Sequence, residues 1–454
     1  MIKYCALFFC LSSLFFVQGQ VRGRVLGLEK DGSRQPLPGV VVYWSDRSFA
    51  RLTDQQGNFE IPMTQSADKL LLFSYVGYRK DTIAVTDSSA EITVLLVKGI
   101  ELNTVVIKEK EKIEKDEYMN SLNVSTITTT GLKQCACCNL SESFENSSSV
   151  DVAYADALTG ARQIQLLGLT GLYTQIMSEN IPAVRGLASP FGLTYIPGPW
   201  MESIQVSKGV SSVRTGYEAM TGQLNVELKK PALSKELYHF NVFSNSEGRW
   251  EANSVINTRI NEHWGSNLMF NTNQFAGVFD HNGDGFLDQP RLRSYNISNR
   301  WRYETETMNV IAGIKLTEEW RLGGHLYFKP DNPRDSSSPY GILMRTHRQE
   351  GFVKAGYIYP NRVNTSTAII LSGVNHRQDG YIGLRNYDAS QQSMYVNLIH
   401  TTYLFNTMHT FTGGFTYLAD NINQKLASIA LSRVEHVPGM YAEYDYKPGN
   451  RFNL

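Results

Sequence analysis

The feature that most restricts this chain is a two-residue alternation that recurs through residues 235–454. In its clearest segment Phe411, Gly413, Phe415 and Tyr417 take one face, while Thr410, Thr412, Gly414 and Thr416 take the other. Leu268 and Phe270 alternate in the same way with Asn267, Asn271 and Asn273. Successive side chains of a strand point to opposite faces, so each segment of about ten residues reads as a strand with one apolar and one polar side. Tight turns are expected near residues 261–263, 304–306, 359–362, 406–407 and 447–449, and longer polar loops near 279–290, 330–348, 378–386 and 421–435. Short turns at one end, long loops at the other, apolar faces to lipid and polar faces to a lumen describe an outer-membrane β-barrel. About ten such strands are expected before Leu454.

The remainder of the chain agrees with that compartment. Residues 1–19 read as a secretory signal, with Lys3 ahead of the apolar residues 4–17 and small Gly19 at a cleavage site. Cys5 and Cys10 fall inside it, and bulky Phe9 before Cys10 argues against lipid attachment. No later run of about eighteen apolar residues could form a spanning helix, so any membrane crossing is made by strands. The 43 basic and 43 acidic side chains cancel, and no long basic run offers a footprint for nucleic acid.

Residues 20–100 read as a small β-sandwich, with short β-branched and aromatic runs at 21–25, 40–44, 59–61, 70–73 and 92–97 between Gly, Pro and Asp turns. Residues 101–125 change character. Leu102, Asn103, Thr104, Val105, Val106, Ile107 and Lys108 form one short apolar run, and a charged, tether-like stretch follows. A short extended segment of this kind can be gripped by strand addition to a partner's sheet, although it also reads as a last sandwich strand with a linker. Residues 126–230 are a mixed α/β stretch with Gly-rich loops.

The order of these segments resembles TonB-dependent outer-membrane receptors of the Bacteroidetes type. Residues 36–40, 53–59 and 74–78 resemble the carboxypeptidase-regulatory-like extension of such receptors, and 102–108 resembles their TonB box. Arg185 and Gly186 stand where the family's plug has an arginine-glycine motif. Glu202, Ile204, Val206, Lys208 and Gly209 match a late plug strand, and Gly216 and Gly222 match the run into the last one. Lys208 stands where the family commonly has Arg, and Thr215 where it has Tyr. The resemblance implies a mainly β fold: an N-terminal sandwich, a mixed α/β plug, and the first strands of an incomplete antiparallel barrel. The family closes its barrel with roughly 22 strands around a plugged lumen, so a fragment or an early-terminated frame is expected. It further implies a place in the outer membrane with the N-terminal domain in the periplasm. The implied partners are a TonB-type energy-transducing protein, outer-membrane lipid and a transported ligand.

Two constellations suggest metals, although import itself requires no cofactor. Cys135, Cys137 and Cys138 are soft donors suited to copper or zinc, or to a stapling disulfide. No histidine precedes His239 to support them, and Met177, Glu179, Met201 and Met220 read more readily as packing than as ligands. Asp280, Asn282, Asp284, Phe286 and Asp288 are spaced like the start of a calcium loop, but Arg291 replaces the usual last carboxylate; an Asx-rich turn is the alternative. No nucleophile elbow, zinc-helix motif or phosphate loop is present, so an enzyme is not expected. The reading is active import of a scarce substrate, gated by the plug. Copper or another heavy metal, a siderophore, haem, an oligosaccharide or a peptide all fit as cargo, and an adhesin anchored by the barrel is the rival.

Overall fold

The structure is a computed structural model; it describes residues 20–28, 33–46, 48–64, 68–76, 78, 80–85, 91–97, 114–116, 124–134, 138–144, 147, 150–209, 211–231, 237–331 and 334–446. The signal and the 102–108 segment lie outside the described residues.

Eight strands make the N-terminal unit: β1 (Gln20–Leu28), β2 (Arg34–Pro36), β3 (Val41–Trp44), β4 (Ala50–Leu52), β5 (Asn58–Pro62), β6 (Leu70–Ser74), β7 (Asp81–Ala84) and β8 (Ile92–Val97). One sheet runs β2-β1-β5 with β8 parallel to β1, and the other runs β4-β3-β6-β7. Val21, Val25, Trp44, Phe73 and Leu96 fill the core between them. The five expected strands are all present. The three missed ones, β2, β4 and β7, have three or four residues each with no buried side chain, so they carry no apolar alternation to read.

The plug follows with β9 (Glu114–Asp116), β10 (Val124–Ile127), helix α1 (Thr129–Gln134), β11 (Val150–Asp156), β12 (Ala161–Leu166), β13 (Thr174–Ser178), β14 (Ile181–Pro182), β15 (Met201–Lys208) and β16 (Gly222–Leu228). Its main sheet has the order β14-β13-β16-β15-β10-β9, and β11 and β12 form a separate hairpin. Leu140, Ile164, Ile204, Val206, Leu224 and Val226 close its apolar core. Helix content is lower than expected: a six-residue α-helix and short 3-10 turns.

Ten strands then form one antiparallel sheet: β17 (Tyr238–Ser244), β18 (Arg249–Arg259), β19 (Trp264–Phe275), β20 (Arg291–Glu304), β21 (Met308–Gly324), β22 (Gly341–Ile358), β23 (Ser366–Ile382), β24 (Arg385–Tyr403), β25 (His409–Leu426) and β26 (Ile429–Tyr446). Its polarity is inside out. Leu268 is 44% exposed beside fully buried Asn267, and Leu398 is 43% exposed beside Asn397 at 2%. The polar face meets the plug, and the apolar face points away. Strands about 4.8 Å apart would make a flat ribbon about 45 Å wide, whereas a domain of the plug's size is roughly 30 Å across. Side chains from nine strands nonetheless reach the plug or its exit, from Arg249 on β18 to Glu443 on β26. The sheet therefore wraps the plug as part of a barrel wall.

The connections correct part of the expected loop pattern. Long loops occupy residues 276–290 and 325–340, but strand structure begins at Gly341, and residues 378–386 and 421–435 are strands joined by tight turns at 383–384 and 427–428. The reason is solvation. A bilayer needs only about 9–11 residues of strand, whereas β24 has 19. On β23 the outward series passes from Ile369 and Leu371 to Asn375, Arg377 and Asp379. Beyond the lipid both faces become polar, and a polar strand looks like a loop in the sequence. We call this the distal end and the end nearest the plug's exit the proximal end.

Ile314 lies in the outward apolar band and is 52% exposed. The substitution Ile314→Arg is expected to destabilise the protein by about 2–4 kcal/mol in a bilayer; folding titrations in lipid vesicles check this, and a cost near zero would mean that this face does not meet lipid.

Candidate functional site at the plug and wall interface

Three of the places where charged side chains join plug to wall hold the most deeply buried of these charges. At the first, the β13–β14 hairpin turns through Glu179 and Asn180, both at positive φ (53° and 63°). Two successive left-handed residues suit the twist of a two-residue hairpin, and Asn tolerates that region better than Glu. The turn delivers the Glu179 carboxylate between Arg300 of β20, its partner in a buried ion pair, and Lys354 of β22 at 3.0 Å. Burial opposes ionisation of Glu179, but the charges of Arg300 and Lys354 outweigh it and hold the carboxyl below its ordinary 4.5. Arg300 also donates to the Lys229 carbonyl at the plug's exit.

At the second place, Arg185 of the plug binds Asp420 of β25 at 2.5 Å and Glu218 of the plug at 3.0 Å, with Glu435 of β26 at 3.7 Å. The next residue, Gly186, has φ +57°, and a Cβ there would lie 2.5 Å from the Gln391 side chain. Glycine lets the wall approach, and Gln391 then accepts the Leu187 amide at 2.8 Å. At the third, Arg321 of β21 donates to the Thr159 carbonyl at 2.9 Å and pairs with Glu319, which accepts the Thr194 hydroxyl.

Distal to Arg185 lies a cleft of about 1200 Å³ between plug loops and the ends of β25 and β26. Arg162, Arg185, Arg433, Gln424, Tyr173 and Tyr217 line it with Leu172 and Met220. Leu172, Met220 and Tyr217 stand open in it, 81%, 68% and 65% exposed. Guanidinium groups, amides and open apolar surface in one cleft suit a molecule that carries both oxygen anions and flat apolar parts.

The residues singled out in the sequence divide by role. Arg185 and Gly186 meet the wall. Ile204 and Val206 are fully buried core residues, Glu202 on the same strand is exposed, and Lys208 ends that strand before Gly209 at φ +83°. Gly216 closes a 3-10 turn at φ +102°. Gly222 has φ +148°, and a Cβ there would lie 2.1 Å from the Ser207 carbonyl, so only glycine fits. Met177 and Met201 are core, Met220 lies in the cleft, and Glu179 serves the wall.

Cys135 and Cys137 lie outside the described residues. Cys138 is buried beside Glu142, Arg249 and Glu251; burial and the Glu251 carboxylate push its thiol well above the ordinary range. For Glu142, burial also opposes the charge, but Arg249 at 2.9 Å prevails and keeps its carboxyl low. In the 280–288 loop the Asp280 carboxylate accepts the amides of Gly283, Asp284 and Gly285, Asp284 accepts that of Phe286, and Asp288 holds His281. These donors are engaged by the loop's own hydrogen bonds. Among the described residues no three His, Cys, Asp or Glu side chains converge as a metal site.

Residues 21–107 match the CarboxypepD_reg-like domain family. A search of curated proteins by sequence gave no match. Among solved structures the chain is similar to the ferripyoverdine receptor of the outer membrane of Pseudomonas aeruginosa, with TM-score 0.59 and 11% identity over 75% of this chain and 51% of that one. A mutant of the ferric enterobactin receptor PfeA from Pseudomonas aeruginosa gives 0.57 and 15% over 71% and 55%. The siderophore receptor PirA from Acinetobacter baumannii gives 0.52 and 14% over 71% and 59%. The fold is thus that of outer-membrane siderophore receptors, and the chain spans between 51% and 59% of these structures' lengths.

Glu179→Ala would leave Arg300, whose side chain is 1% exposed, without its carboxylate. The expected cost is about 3–5 kcal/mol, read by chemical denaturation. Because folding lowers the Glu179 pKa, its contribution is complete above about pH 4.5 and is lost as pH falls through the lower folded value. Over that acid range Glu179→Gln should show a shallower loss of stability than the unaltered protein; parallel pH curves would refute this assignment.

Proposed function

We propose that the protein takes part in active import of a metal chelate across the outer membrane, and that the distal cleft receives the chelate while the plug closes the path beneath it. The cleft carries this reading: it is large, faces the distal end, and combines Arg162, Arg185 and Arg433 with exposed Tyr217, Leu172 and Met220. A bare copper ion would need a compact set of soft donors. Cys138 does not line the cleft, and the methionine that does, Met220, stands beside no second sulfur among its lining residues. The solved structures of similar fold include one bound to ferripyoverdine, which supports a chelate as cargo. An adhesin anchor has no use for a plug tied to nine wall strands, and the structures of similar fold are receptors for transport rather than enzymes.

Energy would enter through residues 102–108, a short apolar run of the kind that suits strand addition to a periplasmic TonB-type partner. The N-terminal domain would then stand in the periplasm, with the apolar outward band in the outer-membrane lipid. In cells producing the protein, deletion of residues 102–108 should abolish uptake of a radiolabelled ferric chelate and leave its binding to the cell surface within about twofold. Uptake that survives the deletion would defeat the energised mechanism, and loss of binding as well would place the segment in the binding site instead.

A further inference from the structure

A second, smaller cavity lies between the plug and wall strands β20 to β23. Its volume is about 80 Å³, bounded by Glu179, Trp200, Arg300, Lys315, Arg348 and Glu350 among others. A water molecule needs roughly 10–15 Å³ on this measure, so several waters fit, or one small ion with a partial shell.

The charges around it do not cancel. Glu179 is shared by Arg300 and Lys354, and Glu350 is shared by Arg348 and Lys315. Of these, three cations, Arg300, Lys315 and Arg348, line the cavity against two carboxylates, and among the described residues no third carboxylate lines it. Two of its lining residues carry unpaired donors: the indole N–H of Trp200, fully buried, and the Nε–H of Arg300 have no acceptor among the described residues. A surplus of positive charge and unaccepted N–H groups around one small cavity favour an anion over water, because an anion satisfies both at once.

We propose that this cavity binds a small inorganic anion of the halide class, which bridges the plug, through Trp200, to the wall, through Arg300, Lys315 and Arg348. The site is distinct from the cargo cleft and independent of the import reading. An anion here would strengthen the junction of plug and wall by pairing the wall's cations with the indole N–H of the plug's Trp200.

The test uses the full chain in detergent micelles, with sodium bromide replacing sodium gluconate at constant ionic strength and tryptophan emission as the signal. Bromide quenches a buried indole only where it can reach it. The expected result is a saturable component of quenching that disappears in Trp200→Phe and whose midpoint rises at least about tenfold in Lys315→Gln. The thermal midpoint of the unaltered protein should also be higher in bromide or chloride than in gluconate, a comparison that needs no variant. Quenching that stays linear in bromide, a saturable component that persists in Trp200→Phe, or equal thermal midpoints in the three salts would each overturn the proposal.

Discussion

The structure depends on the cost of an unpaired peptide group in hydrocarbon, which is several kcal/mol and has no remedy from water. The ten-strand ladder meets that demand with continuous antiparallel pairing from Tyr238 opposite Ile256 to Leu426 opposite Ile429. Once the wall is built this way, its strands have two faces with opposite needs. The outward face is given to Leu268, Ile314 and Leu398, and the inward one to Asn267, Thr317 and Asn397. A polar inner face in turn dictates the surface of whatever fills the lumen, and the ion pairs of Glu179 and Arg185 follow from it.

The plug therefore experiences two kinds of attachment. Its own elements are held by an apolar core in which each buried aliphatic side chain contributes about 1.5–3 kcal/mol. Its attachment to the wall combines ion pairs, small apolar clusters such as Leu187 with Ala389 and Ile422, and hydrogen bonds that each net about 0.5–1.5 kcal/mol because water competes for the same groups. The internal core is the firmer of the two per contact. Water entering the interface can replace plug–wall bonds one for one, whereas nothing replaces Ile204 or Leu224 in the core.

The distal extension of the strands has a consequence for the cleft. Gln424 and Arg433 reach it from strands that continue beyond the lipid-facing band rather than from loops. Paired strands hold side chains in fixed register, so part of the cleft wall is rigid, with Arg185 and its carboxylates as the floor. The apolar groups that stand open in it come from the plug's own turns, including Leu172 and Met220.

What the sequence determined by itself was whatever rests on local periodicity and turn chemistry. The two-residue alternation of residues 235–454 is enough to specify the wall, its strand number and which face is polar, because side-chain direction in a strand is fixed by covalent geometry. The glycines at 186 and 222 could be placed through their resemblance to a pattern, but the reason for each, Gln391 in one case and the Ser207 carbonyl in the other, lies on another strand. The tertiary structure alone decided which charges meet. Glu179 and Arg300 are 121 residues apart, and Arg185 meets Asp420 only because the wall curves around the plug. Apart from Arg185, which its motif marks, each of these residues looks in sequence like an ordinary polar position. Partner choice depends on the curvature of the sheet and the depth at which each strand passes the plug, neither of which has a local signature. The same limit explains the distal strands mistaken for loops: where water wets both faces, alternation carries no hydrophobic contrast, and only pairing with neighbouring strands shows that the backbone is extended.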